Sequence, residues 1–373
     1  MAQPTEPVDT TGHGHIEVSV GAPMRLGDLG QVDHVDLAVS PAGTVAAFVP
    51  TLQWPGHRGE LRNSHRISTD GGRTWTGQFE TPHLTEHDAP VGGGANPPAG
   101  TPVFVESWEH LARPLEFYKT RIVFFRDDFQ QWTSELAWAG MAESVFIEKN
   151  SDGIGVKTES VNPVASDDQI VKLQDATCLL AMHGLFKEDT VPRVFLIRSL
   201  DGGRLWRTFA SVAFEPTAPE SSFDNGGGYS DPSLACLANG TLLCIVKVIA
   251  RDEQTNPSRF MIFRSEDGGV TWNGFEPTGL RQAGQSPNLV AMNNGLLALA
   301  YGGPGLCVAF STDEGETWSN EVQLSDLKVP QITGEIDMVE VEPGRLIAIA
   351  GIGEQGTCAF PITVKRGKSS TGE

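Results

Sequence analysis

The chain has 373 residues, 39% of them hydrophobic, with 42 Gly, 24 Pro and a formal net charge of -20. That length and apolar content allow a large core, the Gly and Pro content argues against long helices, and the acidic field argues against nucleic acid and anionic membrane surfaces as partners. The five Cys residues sit in apolar, strand-like runs and are odd in number, so buried thiols are expected rather than a disulfide framework.

In chain order, residues 1–14 read as an N-terminal arm with neither a basic n-region nor an apolar h-region, and no run of about 18 apolar residues follows. As written, this predicts cytoplasmic residence, or a secreted or periplasmic location if a leader has been removed. His15-Ile16-Glu17-Val18-Ser19-Val20 is a short β-type run. From residue 32 onward one pattern repeats: apolar strand, tight turn, apolar strand, then a third strand ending in a second turn. The first turns lie in residues 35–49, 95–106, 171–182, 234–244, 289–300 and 339–350. The second turn is Ser68-Thr69-Asp70-Gly71-Gly72-Arg73-Thr74-Trp75, repeated at residues 199–206, 265–272 and 311–318, with a degraded copy at 125–132. Its aspartate can accept backbone N–H groups, its glycines allow positive φ, and its tryptophan covers the turn, which makes it structural.

Two hairpins per unit predict a four-stranded blade, and six units start near residues 32, 86, 165, 229, 285 and 335. The sixth lacks the second turn, so residues 15–20 are expected to supply its outer strand and close the ring. The predicted fold is an all-β, six-bladed propeller spanning residues 15–366, with residues 367–373 as a tail.

The repeated S-x-D-x-G-x-T-W turn resembles the Asp box of the sialidase superfamily of six-bladed propellers, over nearly the whole chain. That resemblance implies a carbohydrate-active enzyme with an arginine triad for a sugar carboxylate, a Tyr nucleophile assisted by Glu, and an Asp acid/base. Where the family often has Glu and Arg in the fourth blade, this chain has Asp231 and Lys247. Its Tyr301-Gly302-Gly303-Pro304-Gly305 lacks the arginine of a Y-G-R-P-G segment, and Glu335 stands where the Tyr usually opens the last inner strand.

If the Asp turns mark one end of the propeller, the other end carries inner-strand starts and second-strand ends. That rule selects Glu335, Asp231, Asp88, His34 and His87 as candidate catalytic groups. Arg58, Lys247, Arg251, His183, Trp54, Tyr229 and Tyr301 are candidates for substrate contact. Carboxylates and imidazoles at a cleft can move protons, cations can hold an acidic sugar, and aromatic rings can stack on pyranose faces. No His-x-His or zinc-type spacing occurs, so neither metal nor cofactor is expected. The leading expectation is an exo-glycosidase acting on a terminal, acidic sugar. A lyase acting on a uronate-containing glycan and a non-catalytic glycan-binding propeller are the alternatives, with no obligate protein partner expected.

Overall fold

The computed structural model describes residues 16–27, 35–54, 57–80, 101–104, 109–110, 117–140, 144–149, 155–158, 164–165, 170–186, 189, 191–215, 228–249, 258–280, 287–303, 305–325 and 336–366. Among them the chain is all β, with one 3-10 turn at Gly353–Gln355 and no α-helix. The strands form a propeller of five hydrogen-bonded sheets. Sheet I is the meander Asp36–Val39, Val45–Trp54, His57–Ser68 and Thr76–Glu80. Sheets III (Tyr229–Cys236, Leu242–Val248, Arg259–Ser265, Asn273–Phe275) and IV (Asn288–Ala291, Leu297–Gly303, Gly305–Ser311, Ser319–Ser325) repeat it. In sheet V the strands Ile336–Glu342, Arg345–Gly351 and Thr357–Arg366 come from the C-terminus, and Ile16–Val20 adds the outer strand, with Ile16 opposite Arg366 and Val20 opposite Ile362. Pairing the chain's first strand with its last covers an edge that would otherwise expose unpaired backbone.

Sheet II departs from the one-unit, one-sheet pattern, because it holds 11 strands. Its first half contains Thr101–Phe104, Phe117–Phe125 and Trp132–Gly140, and its second half Cys178–Phe186, Arg193–Ser199 and Leu205–Ala213. The halves join by parallel pairing that sets Trp138 beside Leu205 and Gly140 beside Arg207. Arg204 anchors the joint: its guanidinium grips both oxygens of Glu135, and its carbonyl accepts the Trp138 N–H (2.8 Å). A hairpin absent from the repeat pattern, Ser144–Lys149 with Gly155–Thr158, is attached to Cys178–Phe186.

The four Asp turns are built alike from their own side chains. In the turn after Arg259–Ser265, the Ser265 hydroxyl donates to Asp267 Oδ1 (2.8 Å) and accepts the Gly269 N–H (2.9 Å). Asp267 also accepts the Val270 and Thr271 N–H groups (3.0 and 2.9 Å) and the Thr271 hydroxyl (2.6 Å). Asp70 and Asp313 accept in the same way from Thr74 and Thr317, whereas Asp201 accepts the Leu205 N–H and has no hydroxyl at that position. In the degraded copy it is Asp128 that accepts, from Gln130 N–H (2.9 Å), and Trp132 at its end is 43% exposed.

These bonds favour the ionised aspartates. The Thr271 hydroxyl, then its N–H, hold Asp267 down to about 2, and the same groups of Thr74 depress Asp70. Their contribution is present above the unfolded pKa near 3.9 and is lost as pH falls towards about 2. His65 acts earlier on the scale. It is 2% exposed among Phe48, Phe79 and Phe125, with Nε2 bonded to the Phe129 carbonyl (2.9 Å). Burial lowers its pKa against that hydrogen bond, so the unfolded chain takes up its proton first and stability declines once pH drops below about 6.5. Thermal unfolding across pH 7 to 2 is expected to show a shallow fall below about 6.5 and a steeper one below about 4.

Among the described residues six apolar clusters lie between neighbouring sheets and between the two halves of sheet II. Phe48 and Ile67 of sheet I meet Phe125 and Phe129 of sheet II, and Ile347 and Ile349 of sheet V meet Val45 and Ala47 of sheet I. Ile122 and Trp206 join the two halves of sheet II. The last glycine of each Asp turn lies against the preceding unit: a Cβ on Gly72, Gly203, Gly269 or Gly315 would stand 2.5, 3.0, 3.0 or 2.9 Å from Ile347, Ile122, Leu196 or Ile262. Gly269 also needs its left-handed backbone (φ +91°). Gly269→Ala is therefore expected to cost about 1–3 kcal/mol in chemical denaturation. All five Cys are free, four of them buried.

Candidate functional site

The Asp turns and the turns between first and second strands share one end of the propeller. Arg73 of sheet I grips both carboxylate oxygens of Glu342 at 3.1 Å, and Arg345 donates to the Gly71 carbonyl (3.0 Å). The opposite end therefore gathers inner-strand starts and second-strand ends, as the sequence predicts. There, polar side chains link neighbouring inner strands. Ser233 accepts the Leu289 N–H (2.9 Å), tying sheet III to sheet IV. Asp337 binds sheet V to both neighbours: its Oδ1 accepts Asn288 Nδ2 (2.7 Å) and its own strand's Met338 N–H (2.7 Å), and Oδ2 accepts Leu37 N–H (2.5 Å). Asp337 is 5% exposed, and its carboxylate is occupied by these structural donors.

Asp231 lies two residues before Ser233, the sheet III counterpart of Asp337, and is held differently. Its backbone N–H, not its carboxylate, makes the link across sheets, to His183 Nδ1 (3.3 Å) of sheet II. The carboxylate is left 24% exposed, beside Lys247 Nζ at 3.9 Å and the Ser230 hydroxyl at 3.3 Å. That ion pair is at the outer limit of contact, and a ligand group can replace either partner. The presentation has a backbone cause. Asp231 adopts a left-handed conformation (φ 48°) directly before Pro232, and the pairing with Leu242–Val248 slips between Ser230 and Ser233. A non-Gly residue held there costs about 1–3 kcal/mol, and such strain clusters where a side chain must be aimed. Because Nδ1 accepts from the Asp231 N–H, a neutral His183 carries its proton on Nε2.

A clamp fixes the strand that carries His183. Asp189, 2% exposed, accepts the Phe186 N–H (2.9 Å) and Arg193 Nε (2.6 Å), while the Arg193 guanidinium lies 3.7 Å over Phe214 and 4.5 Å over Phe186. Sequence reading passed over this clamp, although Asp and Arg four residues apart across a hairpin were a usable signal.

The structure thus brings Asp231, His183 and Lys247 together, from two sheets. Tyr229 stands beside them on the strand, half-buried and edge-on to Phe263 at 5.8 Å; burial raises its phenol pKa. Tyr301 corrects the expectation that it stacks on a sugar. It is fully buried, edge-on to Phe260 at 5.5 Å, and its hydroxyl donates to Glu321. Strand alternation puts it on the face of Leu297 and Leu299, which packs on sheet III. Glu335, Asp88, His34, His87 and Arg251 lie outside the described residues, and Trp54 and Arg58 are described only as strand positions. Among the described residues, no three His, Cys, Asp or Glu side chains form a metal-holding group.

Residues 156–368, more than half of the chain, match the family model of the BNR repeat-like domain. The chain belongs to that family. No curated protein sequence matches this BNR repeat-like chain. Its fold recurs in solved structures. A protein of unknown function from Dyadobacter fermentans has 13% identity and a TM-score of 0.56, over 93% of this chain and 99% of that one. The α-L-arabinanase of Penicillium chrysogenum complexed with arabinobiose has 14% identity and a TM-score of 0.56, over 92% and 98%. The α-L-arabinofuranosidase of Fusarium graminearum with arabinobiose has 12% identity and a TM-score of 0.57, over 92% and 98%. At such identities the likeness is one of fold.

Proposed function

We propose that this chain is an exo-acting glycoside hydrolase of sialidase-like, six-bladed architecture that removes a terminal, acidic sugar from a glycan. The 11-stranded sheet is then two blades joined at their outer strands, a reading supported by the apolar cluster between its halves and by six such clusters around the ring. The observation that carries the functional reading is Asp231. Two residues before Ser233, which with Asp337 spends its side chain on the links between inner strands, Asp231 holds its place by its backbone and offers its carboxylate, at the cost of a left-handed φ.

Glycoside hydrolysis needs two carboxyl groups, one to handle the proton and one to meet the anomeric carbon directly or through water. In this reading Asp231 exchanges the proton with the leaving-group oxygen as the glycosidic C–O bond breaks. Glu335, one residue before the inner strand Ile336–Glu342, serves the anomeric carbon. Lys247 takes the acidic group of the sugar, with Arg58 and Arg251 as further cations, Trp54 and Tyr229 as apolar walls, and Asp88, His34 and His87 from the first two units. The arabinobiose complexes of two neighbours in fold support a sugar ligand.

A panel of aryl sialosides, uronides, rhamnosides and α-L-arabinofuranosides tests this. Release of the aryl group from at least one acidic glycoside, lost in Glu335→Gln, is the expected result. An unsaturated uronate product from a polysaccharide would replace hydrolysis by elimination, and glycan binding without turnover would make the chain a binding protein.

A further inference from the structure

The outer surface of sheet II carries a second feature that the cleft does not use. Where the two halves join, Trp138 (37% exposed) lies beside Leu205 (37% exposed) on neighbouring strands. Two residues along, Arg207 is exposed, and it stands directly opposite Arg198 on the next strand. The partner of Arg207 across the joint is Gly140, which has no side chain to screen it. Arg198 lies 4.1 Å over the Phe209 ring, and the exposed Leu200 follows in the adjoining turn.

Two features of this surface need an explanation. Like charges directly opposite in a sheet are destabilising, with Cβ atoms about 4.5–5.5 Å apart. Yet among the described residues neither guanidinium belongs to an ion pair, in a chain whose formal net charge is -20, and Asp175, which feels the charge of Arg198, accepts the Thr177 N–H (2.9 Å). Beside them Trp138 and Leu205 are both partly exposed and offer a flat apolar face. The two occur side by side. A single carboxylate or sulfate can bridge two facing guanidinium groups, and a sugar ring can lie flat on an indole.

We propose that Trp138, Leu205, Arg207 and Arg198 form an accessory binding surface for an acidic polysaccharide, on the outer rim and separate from the Asp231 cleft. The two arginines hold an anionic group of one sugar unit, and Trp138 stacks on a neighbouring unit. On an acidic protein this local reversal of charge selects a polyanion over a neutral glycan and makes binding weaken with added salt.

The test is binding of polygalacturonate, dextran sulfate and neutral dextran to the full chain by calorimetry, beside Asp231→Asn, Arg207→Glu and Trp138→Ala. Expected is binding of at least one polyanion but not dextran, weakened at least tenfold in Arg207→Glu and in Trp138→Ala and unchanged in Asp231→Asn. Both rim residues are exposed, so unchanged melting of the variants separates lost binding from lost folding. Equal affinity of wild type and both rim variants, or binding removed by Asp231→Asn alone, would overturn the proposal, as would no polyanion binding at all. Inorganic sulfate serves as the anion-only arm: full competition at millimolar sulfate would reduce the surface to an anion site and contradict the sugar stacking. Because turnover of small aryl glycosides is read separately, failure here and failure of the hydrolase reading are distinguishable.

Discussion

Asp337→Ala is expected to lower the unfolding free energy by on the order of 3–5 kcal/mol. The carboxylate is buried and accepts from three groups, Asn288 Nδ2, Leu37 N–H and Met338 N–H, which belong to sheets IV, I and V. Truncation leaves these buried donors unpaired, at about 1–3 kcal/mol each, less than additively because the same relaxation serves all three. The ring has no slack to absorb the change, since Asn288 Oδ1 is already buried without a partner among the described residues. Asp337→Asn keeps the shape but turns an NH2 donor towards one or more of these donors, so an intermediate loss is expected. Urea unfolding measures both. A loss of only about 0.5 kcal/mol in Asp337→Ala would be that of an ordinary surface substitution and would show that the inner-strand links do not hold the ring.

Asp231→Asn should behave in the opposite way, with turnover falling about 10²- to 10⁴-fold while stability holds. Asn tolerates a left-handed backbone at least as well as Asp, and the link to His183 runs through the backbone N–H, which the substitution keeps. Asp231→Gly should go further, relieving the φ strain and so keeping or raising stability while removing the carboxylate. A merely structural Asp231 would give the reverse pattern, with stability lost in proportion to any activity. Measuring kcat and the unfolding midpoint on the same three proteins separates the two.

How much of this was legible in the sequence depended on the range of the interactions. The Asp turns could be read because every bond in them spans at most four residues, Ser68 to Gly72 or Asp70 to Thr74, and the closing strand at Ile16–Val20 because the last unit lacked a partner. The parallel joint at Trp138 and Leu205 could not be read, because it depends on Arg204 reaching Glu135 across 69 positions. The face that holds the site followed from topology, but the arrangement on it did not. Asp231 and Asp337 are both acidic residues near inner-strand starts, and only the fold shows one carboxylate consumed by Leu37, Met338 and Asn288 and the other partly exposed beside Lys247 and Ser230. Pro232 was the overlooked local signal, since a proline inside a strand marks a bulge. Tyr301 was misjudged for want of phase: counted from Leu297 in steps of two, it falls on the buried face.

The position of a bound sugar tests the role of Asp231 most directly. In a crystal structure of Asp231→Asn soaked with the best aryl glycoside of the panel, the glycosidic oxygen is expected about 3–3.5 Å from the residue 231 side chain, with the acidic group of the sugar within reach of Lys247. A sugar bound in a defined pose elsewhere, with residue 231 and Lys247 both out of contact, would contradict it.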